Sequence, residues 1–179
     1  MTIPADIATV ENAIQAWIVA GSGLAADKVL WSGQGKGRPG EQWISLKFLA
    51  LPSEGQDWTD VEDAPEPQDG AEIEHRARGQ RVATLSIQCY AGNAVGAVSP
   101  MMRLERVKLA RSLPTAMDAF RAGGVGIRSM SGPTDVSAPR TPGTFEPRAV
   151  MSARISLAAE LVETGTYIEK AGGAGTVTP

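Results

Sequence analysis

Between Phe145 and Thr164 apolar and polar residues alternate for longer than an ordinary strand needs. Ala149, Met151, Ala153, Ile155, Leu157 and Ala159 share one parity, while Arg148, Ser152, Arg154 and Ser156 share the other. That is the period of two imposed by a pleated strand with one buried face. About 15 extended residues at roughly 3.3 Å each span about 50 Å, whereas a compact chain of this length has a radius of gyration of about 16 Å. Such a strand has to bend or protrude. Protrusion leaves backbone donors and acceptors unpaired at an edge, which invites association, so the feature points toward assembly rather than chemistry.

The remaining elements read in order. Thr2 or Asp6 is placed to cap a helix in which Ile7, Val10, Ile14 and Trp17 recur at three- and four-residue steps before Gly21 and Gly23 stop it. Val29-Leu-Trp31 reads as a short strand, and Gln42 to Leu51 as a second one ended by Pro52. Arg81 to Tyr90 reads as a central strand. A turn near Gly92-Asn93 leads to Ser99-Pro100, a helix start with serine as cap and proline in the first turn. Met101, Leu104, Val107 and Leu109 give that helix an apolar side, and Pro114 ends it. Ser112 then caps a short helix in which Leu113, Met117 and Phe120 share a face. Val125 to Met130 is a further strand, and Ser137 to Gly143 a proline-rich connection into the long final strand. This succession predicts an α+β fold, a mostly antiparallel twisted sheet with helices packed on one face and a long C-terminal strand. Residues 1–171 are expected to form one domain and 172–179 a flexible tail.

Charge is unevenly spread. Glu54 to Gly70 carries seven acids and no base; without them, 13 of the 20 acids stand against 17 bases. With few apolar anchors besides Trp58 and Val61, residues 54–70 are expected to form a long exposed acidic loop. A mildly basic body beside an acidic loop argues against a nucleic-acid-binding domain, whose footprint is a concentrated positive patch. The bases Arg103, Arg106, Lys108 and Arg111 read as the wet face of a helix, since no stacking aromatics accompany them. The N-terminal segment lacks a basic leader, and polar residues interrupt its apolar ones, so neither a secretory signal nor a membrane contact is expected.

Few residues suggest catalysis. Gly35-Lys-Gly-Arg-Pro-Gly40 matches a dinucleotide fingerprint literally, but a strand follows where a helix N-terminus must hold the pyrophosphate. His75 is the single histidine, so a small hydrolase would have to use it; an exposed loop histidine is the simpler reading. Cys89 lies on the apolar parity of a strand and reads as a buried thiol, with no partner for an intrachain disulfide. One Cys and one His cannot build a structural zinc site, and the acids of 57–69 lack calcium-loop spacing. No catalytic residue, cofactor or metal is expected.

Several segments together resemble the neck or tail terminator proteins of tailed bacteriophages. They are Glu11-Asn-Ala-Ile-Gln-Ala-Trp17; Gly23-Leu24 with Lys28-Val-Leu-Trp31 and Arg38-Pro39; Arg78-Gly-Gln-Arg81; and Phe145-Glu-Pro-Arg-Ala149 with Glu163-Thr-Gly-Thr-Tyr-Ile-Glu169. The resemblance implies a non-enzymatic virion protein, assembled in the host cytoplasm. It would cap the tail tube as a hexameric ring and present a docking surface to a head-side neck or connector protein. Its partners would be further copies of itself, the tail tube protein and that connector, with DNA passing through without specific binding. A tube subunit or head-completion protein is the nearest alternative. Interfaces favour arginine and tryptophan, which selects Arg78, Arg81, Arg148, Arg154 and Trp58 as candidate ring or tail contacts.

Overall fold

The computed structural model describes residues 7–33, 42–68, 71–91, 98–141 and 144–165. Helix α1 (Ile7–Ser22) buries Val10, Ile14, Trp17 and Gly21, the spacing of a single helical face; Ile7, expected among them, is exposed. Gly23, at φ +68, closes the helix by donating its N–H to the Val19 carbonyl at 3.1 Å, a left-handed position that suits glycine. A 3-10 turn at Ala26–Lys28 leads into β1 (Val29–Trp31), followed by β2 (Gln42–Ala50), β3 (Ser53–Gln68) and β4 (Ala71–Ala91). Helices α2 (Pro100–Ala110) and α3 (Pro114–Ala122) come next, then β5 (Val125–Met130), β6 (Thr134–Asp135), β7 (Ala138–Thr141), β8 (Thr144–Glu146) and β9 (Arg148–Gly165).

The main sheet runs β1-β2-β4-β9-β5, with β6 also on β9. Among the described residues only β1 and β2 pair in parallel; the other pairings are antiparallel. Directly opposed residues share a face, so the alternation in each strand adds up across the sheet. Val29, Ile44, Cys89 and Ala149 form one buried row, and Trp31, Leu46, Ile87 and Met151 the next. All three helices cover this face. Trp17 is central to the seam: its indole N–H donates to the Val107 carbonyl at 2.9 Å, and its ring meets Phe120 edge-on at 5.5 Å. Each large apolar side chain fully buried here stabilises the fold by about 1.5–3 kcal/mol.

The long strand alternates as expected, burying Ala149, Met151, Ala153, Ile155 and Leu157, and it protrudes rather than bends back. In the body it is no edge strand, because β4 flanks one side while β5 and β6 flank the other. Beyond Leu157 it continues beside β4 alone. Strands β2 and β3 run end to end along the opposite side of β4, broken at Pro52, whose carbonyl still accepts from the Val82 N–H. The 21 residues of β4, about 70 Å when extended, therefore belong half to the helix-covered body and half to a three-stranded arm of β3, β4 and the end of β9.

Several expectations are corrected. Residues 54–68 form a strand and not a loop, because β4 offers them a backbone ladder and a row of arginines that composition alone does not reveal. His75 is accordingly exposed on a strand instead of a loop. The proline-rich connection contains strand β7, which pairs with β8 just beyond it. Ser99 does cap α2, accepting from the Met102 N–H at 3.2 Å, but Leu113, without a side-chain bond, occupies the cap position of α3 in place of Ser112. Leu109 points outward while Leu104 and Val107 are buried. The fingerprint at Gly35–Gly40, the turn at Gly92-Asn93, the caps Thr2 and Asp6 and the tail 172–179 lie outside the described residues.

Candidate functional site

The arm gathers the charge of the chain into an ordered ladder. Its outer face, away from the helices, carries Trp58, Asp60 and Glu62 from β3, Glu74, Arg76 and Arg78 from β4, and Glu160 from β9. Arg78 donates from Nε to Glu160 Oε1 at 2.9 Å and lies 3.6 Å from Asp60. Arg76 is 2.7 Å from Glu74, 3.5 Å from Glu62 and 3.8 Å from Glu160. These carboxylates, Glu74 first, raise the Arg76 pKa above its ordinary value. Arg76 and Arg78, placed among the acids of three strands, let a strand dense in acids pair; even Glu62 and Glu74, directly opposite each other, share Arg76. At the arm's root Glu54 of β3 pairs with Arg128 of β5.

The helix-side face of the arm is different in kind. Arg81 holds Asp57 through two hydrogen bonds of 2.6 and 2.7 Å, which lower the Asp57 pKa below its ordinary value. This pair crosses over Gly79, where a Cβ would collide with the Asp57 carboxylate; that close approach explains the glycine. Farther out the core parity continues as Ala77, Ala159, Leu161 and Val61, with His75 and Glu163 beside them. Leu161 is 71% and Val61 61% exposed. Among the described residues no strand pairs with the outer edge of β3 or with the outer edge of β9 beyond Leu157.

The five expected contact residues separate into two places. Trp58, Arg78 and Arg81 lie on the arm, Trp58 directly opposite Arg78 and half exposed. Arg148 and Arg154 lie on the outer face of the body. There Trp43 and Tyr90 stack at 4.2 Å, with the Arg148 guanidinium 5.3 Å from the Tyr90 ring. Arg148 Nε is buried without a hydrogen-bond partner, and Arg154 is exposed. In sequence Val61 reads only as an apolar anchor of a loop, and the alternating face is counted no farther than Ala159, short of Leu161. Continuing the parity count beyond Ala159 was the available signal.

Little here is suited to bond-making. Burial pushes the Cys89 thiol up to about 12, against a smaller opposing influence of Arg103, so it is not a ready nucleophile. Among the described residues no group of three His, Cys, Asp or Glu side chains is placed to hold a metal, and no helix is long and apolar enough to cross a membrane.

Comparison with known proteins bears on this geometry. The profile of a family described as phage neck terminator protein matches residues 8–179. No curated protein matches the chain. Among solved structures, the chain is similar to one described as the sheath/tube terminator of an extracellular contractile injection system, PVC, in the extended state, with 11% identity and a TM-score of 0.48. That match covers 100% of this chain and 66% of the other, so this chain spans just under two thirds of its length.

Proposed function

The chain belongs to the phage neck terminator protein family, and on that premise we propose that it closes the end of a tail tube as a ring of identical subunits, hexameric as its resemblance to terminators implies. In this reading one face of the ring meets the tube protein and the other a head-side connector, and the protein resides in the virion after assembly in the host cytoplasm. The observation that supports a ring is the arm. It extends the sheet past the helices with an exposed apolar face and two edges that no described strand pairs, features that isolated proteins avoid and interfaces use. The edges belong to different strands, β3 and β9, so a contact between copies through them joins unlike surfaces. Such a head-to-tail contact closes into a ring when its rotation permits.

No reaction is part of this role. Arg78 and Arg81 act within the chain by holding the arm together and Arg148 by lying over Tyr90, which leaves Trp58 and Arg154 as the expected residues with side chains to offer a neighbour. DNA passes through the opening without specific binding, and the acidic strand β3 disfavours retention of phosphate.

Electron microscopy and mass measurement of the purified protein, alone and with tail tubes, test the proposal. Closed rings that cap tubes are expected. Long tubes made of this chain alone would make it a tube subunit instead. Changing His75 to Ala should leave ring formation and tail completion intact, and a measurable turnover abolished by that change would overturn the non-enzymatic reading.

A further inference from the structure

Two exposed apolar surfaces lie far apart in sequence and carry opposite unpaired charge. The first is a stripe on α2. Met102, Arg106 and Leu109 follow at steps of four and three, and Leu113 stands four residues on at the turn into α3, the spacing of one helix face. Leu109 is 73% and Met102 60% exposed, although Leu104 and Val107 already supply the buried side of the helix. Arg106 lies within this stripe and makes no ion pair among the described residues. The second surface is the helix-side face of the arm, where Leu161 stands opposite Ala77 and Val61 opposite His75. Glu163 follows Leu161 on that face and likewise makes no ion pair among the described residues. The neighbouring arginines of the arm are already held by its own acids.

We infer that the apolar face of the arm in one copy lies on the α2–α3 stripe of the next copy, with Leu161 against Leu109 and Glu163 received by Arg106. The inference deepens the ring reading and rests on it. A second copy is the occupant because each chain carries both halves of a complementary pair: an apolar strip bordered by an acid, Glu163, and an apolar strip carrying a base, Arg106. Complementary charge at the border fixes register and discourages other pairings. Because the two surfaces differ, every subunit donates one and receives on the other, the condition for head-to-tail closure.

Cysteine cross-linking tests the contact. Cys89 is buried and stays in place. Under mild oxidation, the full chain carrying both Leu161→Cys and Leu109→Cys should give a ladder of covalent oligomers ending at the size of the ring. An equal mixture of the two single variants should stop at dimers, and neither single variant should cross-link alone. Rings without cross-links would overturn this contact and leave the ring standing, and dimers of Leu161→Cys alone would overturn it in favour of an arm-to-arm contact. Failure to form any closed oligomer, with or without tubes, would overturn the ring itself. A second variant, Leu161→Asp, changes a side chain exposed in the single chain, so its circular dichroism should be unchanged while association weakens by about tenfold or more. Unaltered association would count against the contact.

Discussion

At residue scale the structure ties specific ionisable groups to specific partners. Asp57 has its pKa lowered from an ordinary 3.8, first by its hydrogen bond to Arg81. A carboxylate depressed in the folded state contributes stability fully above its unfolded value and loses it as pH falls through the folded one. A carboxyl titration followed by NMR should therefore place Asp57 below 3.8, with a return toward that value in Arg81→Ala. An unchanged midpoint in the variant would remove Arg81 as the cause. Arg103 shows how far a residue can depart from its expected setting. Read as part of a wet helix face, it is buried, donating to the Ser22 carbonyl at 2.6 Å and to Gln42 Oε1 at 2.5 Å. Its place was readable from spacing, since 103 and 107 share a side of the helix, but a charged side chain is ordinarily assigned outward. Arg103→Leu orphans two acceptors and should cost about 1–3 kcal/mol in urea unfolding. Wild-type stability in that variant would show that water replaces the guanidinium.

At the scale of elements, the helices pack as closely as their smallest residues allow. A Cβ at Gly21 would sit 2.6 Å from the Val107 Cα and 2.8 Å from the Ala110 Cβ, so α1 and α2 meet backbone to backbone there. Alanine in place of glycine favours a helix by about 1 kcal/mol, while overpacking a tight contact costs about 1–3 kcal/mol. Gly21→Ala should thus lower the unfolding midpoint, and a rise would mean that the helices separate freely. In sequence Gly21 and Gly23 both read as stop signals; Gly23 serves as one, whereas Gly21 serves packing. The acidic segment failed as a loop for a comparable reason. Local composition set its solubility, whereas its conformation was set by Arg76 and Arg78, whose side chains reach its acids from the adjacent strand.

Across the whole molecule, stability should be divided as burial is. The body has the helix-covered core; the arm has exposed apolar residues and surface ion pairs, which contribute little individually. Hydrogen exchange should therefore be slow at Leu85, Ile87, Met151 and Ala153 and fast at Thr59 and Val61. Arg78→Ala should speed exchange at β3 amides and leave the body unchanged. Uniform acceleration in that variant would instead make the arm part of the cooperative core. An arm of low intrinsic stability also suits an element proposed to gain its remaining contacts from another copy.

What sequence alone determined was the set of buried faces. The alternation of residues 149–157, the helical spacing of Val10, Ile14 and Trp17 and the serine-proline start of α2 all reappear in the structure, because side-chain period follows from backbone geometry. Tertiary structure alone decided that 54–68 is a strand, that the Arg103 guanidinium finds acceptors on α1 and β2, and that no described helix covers Leu161. Those outcomes depend on what stands opposite a residue. Opposition between strands as distant as β4 and β9 is fixed only when the chain has folded.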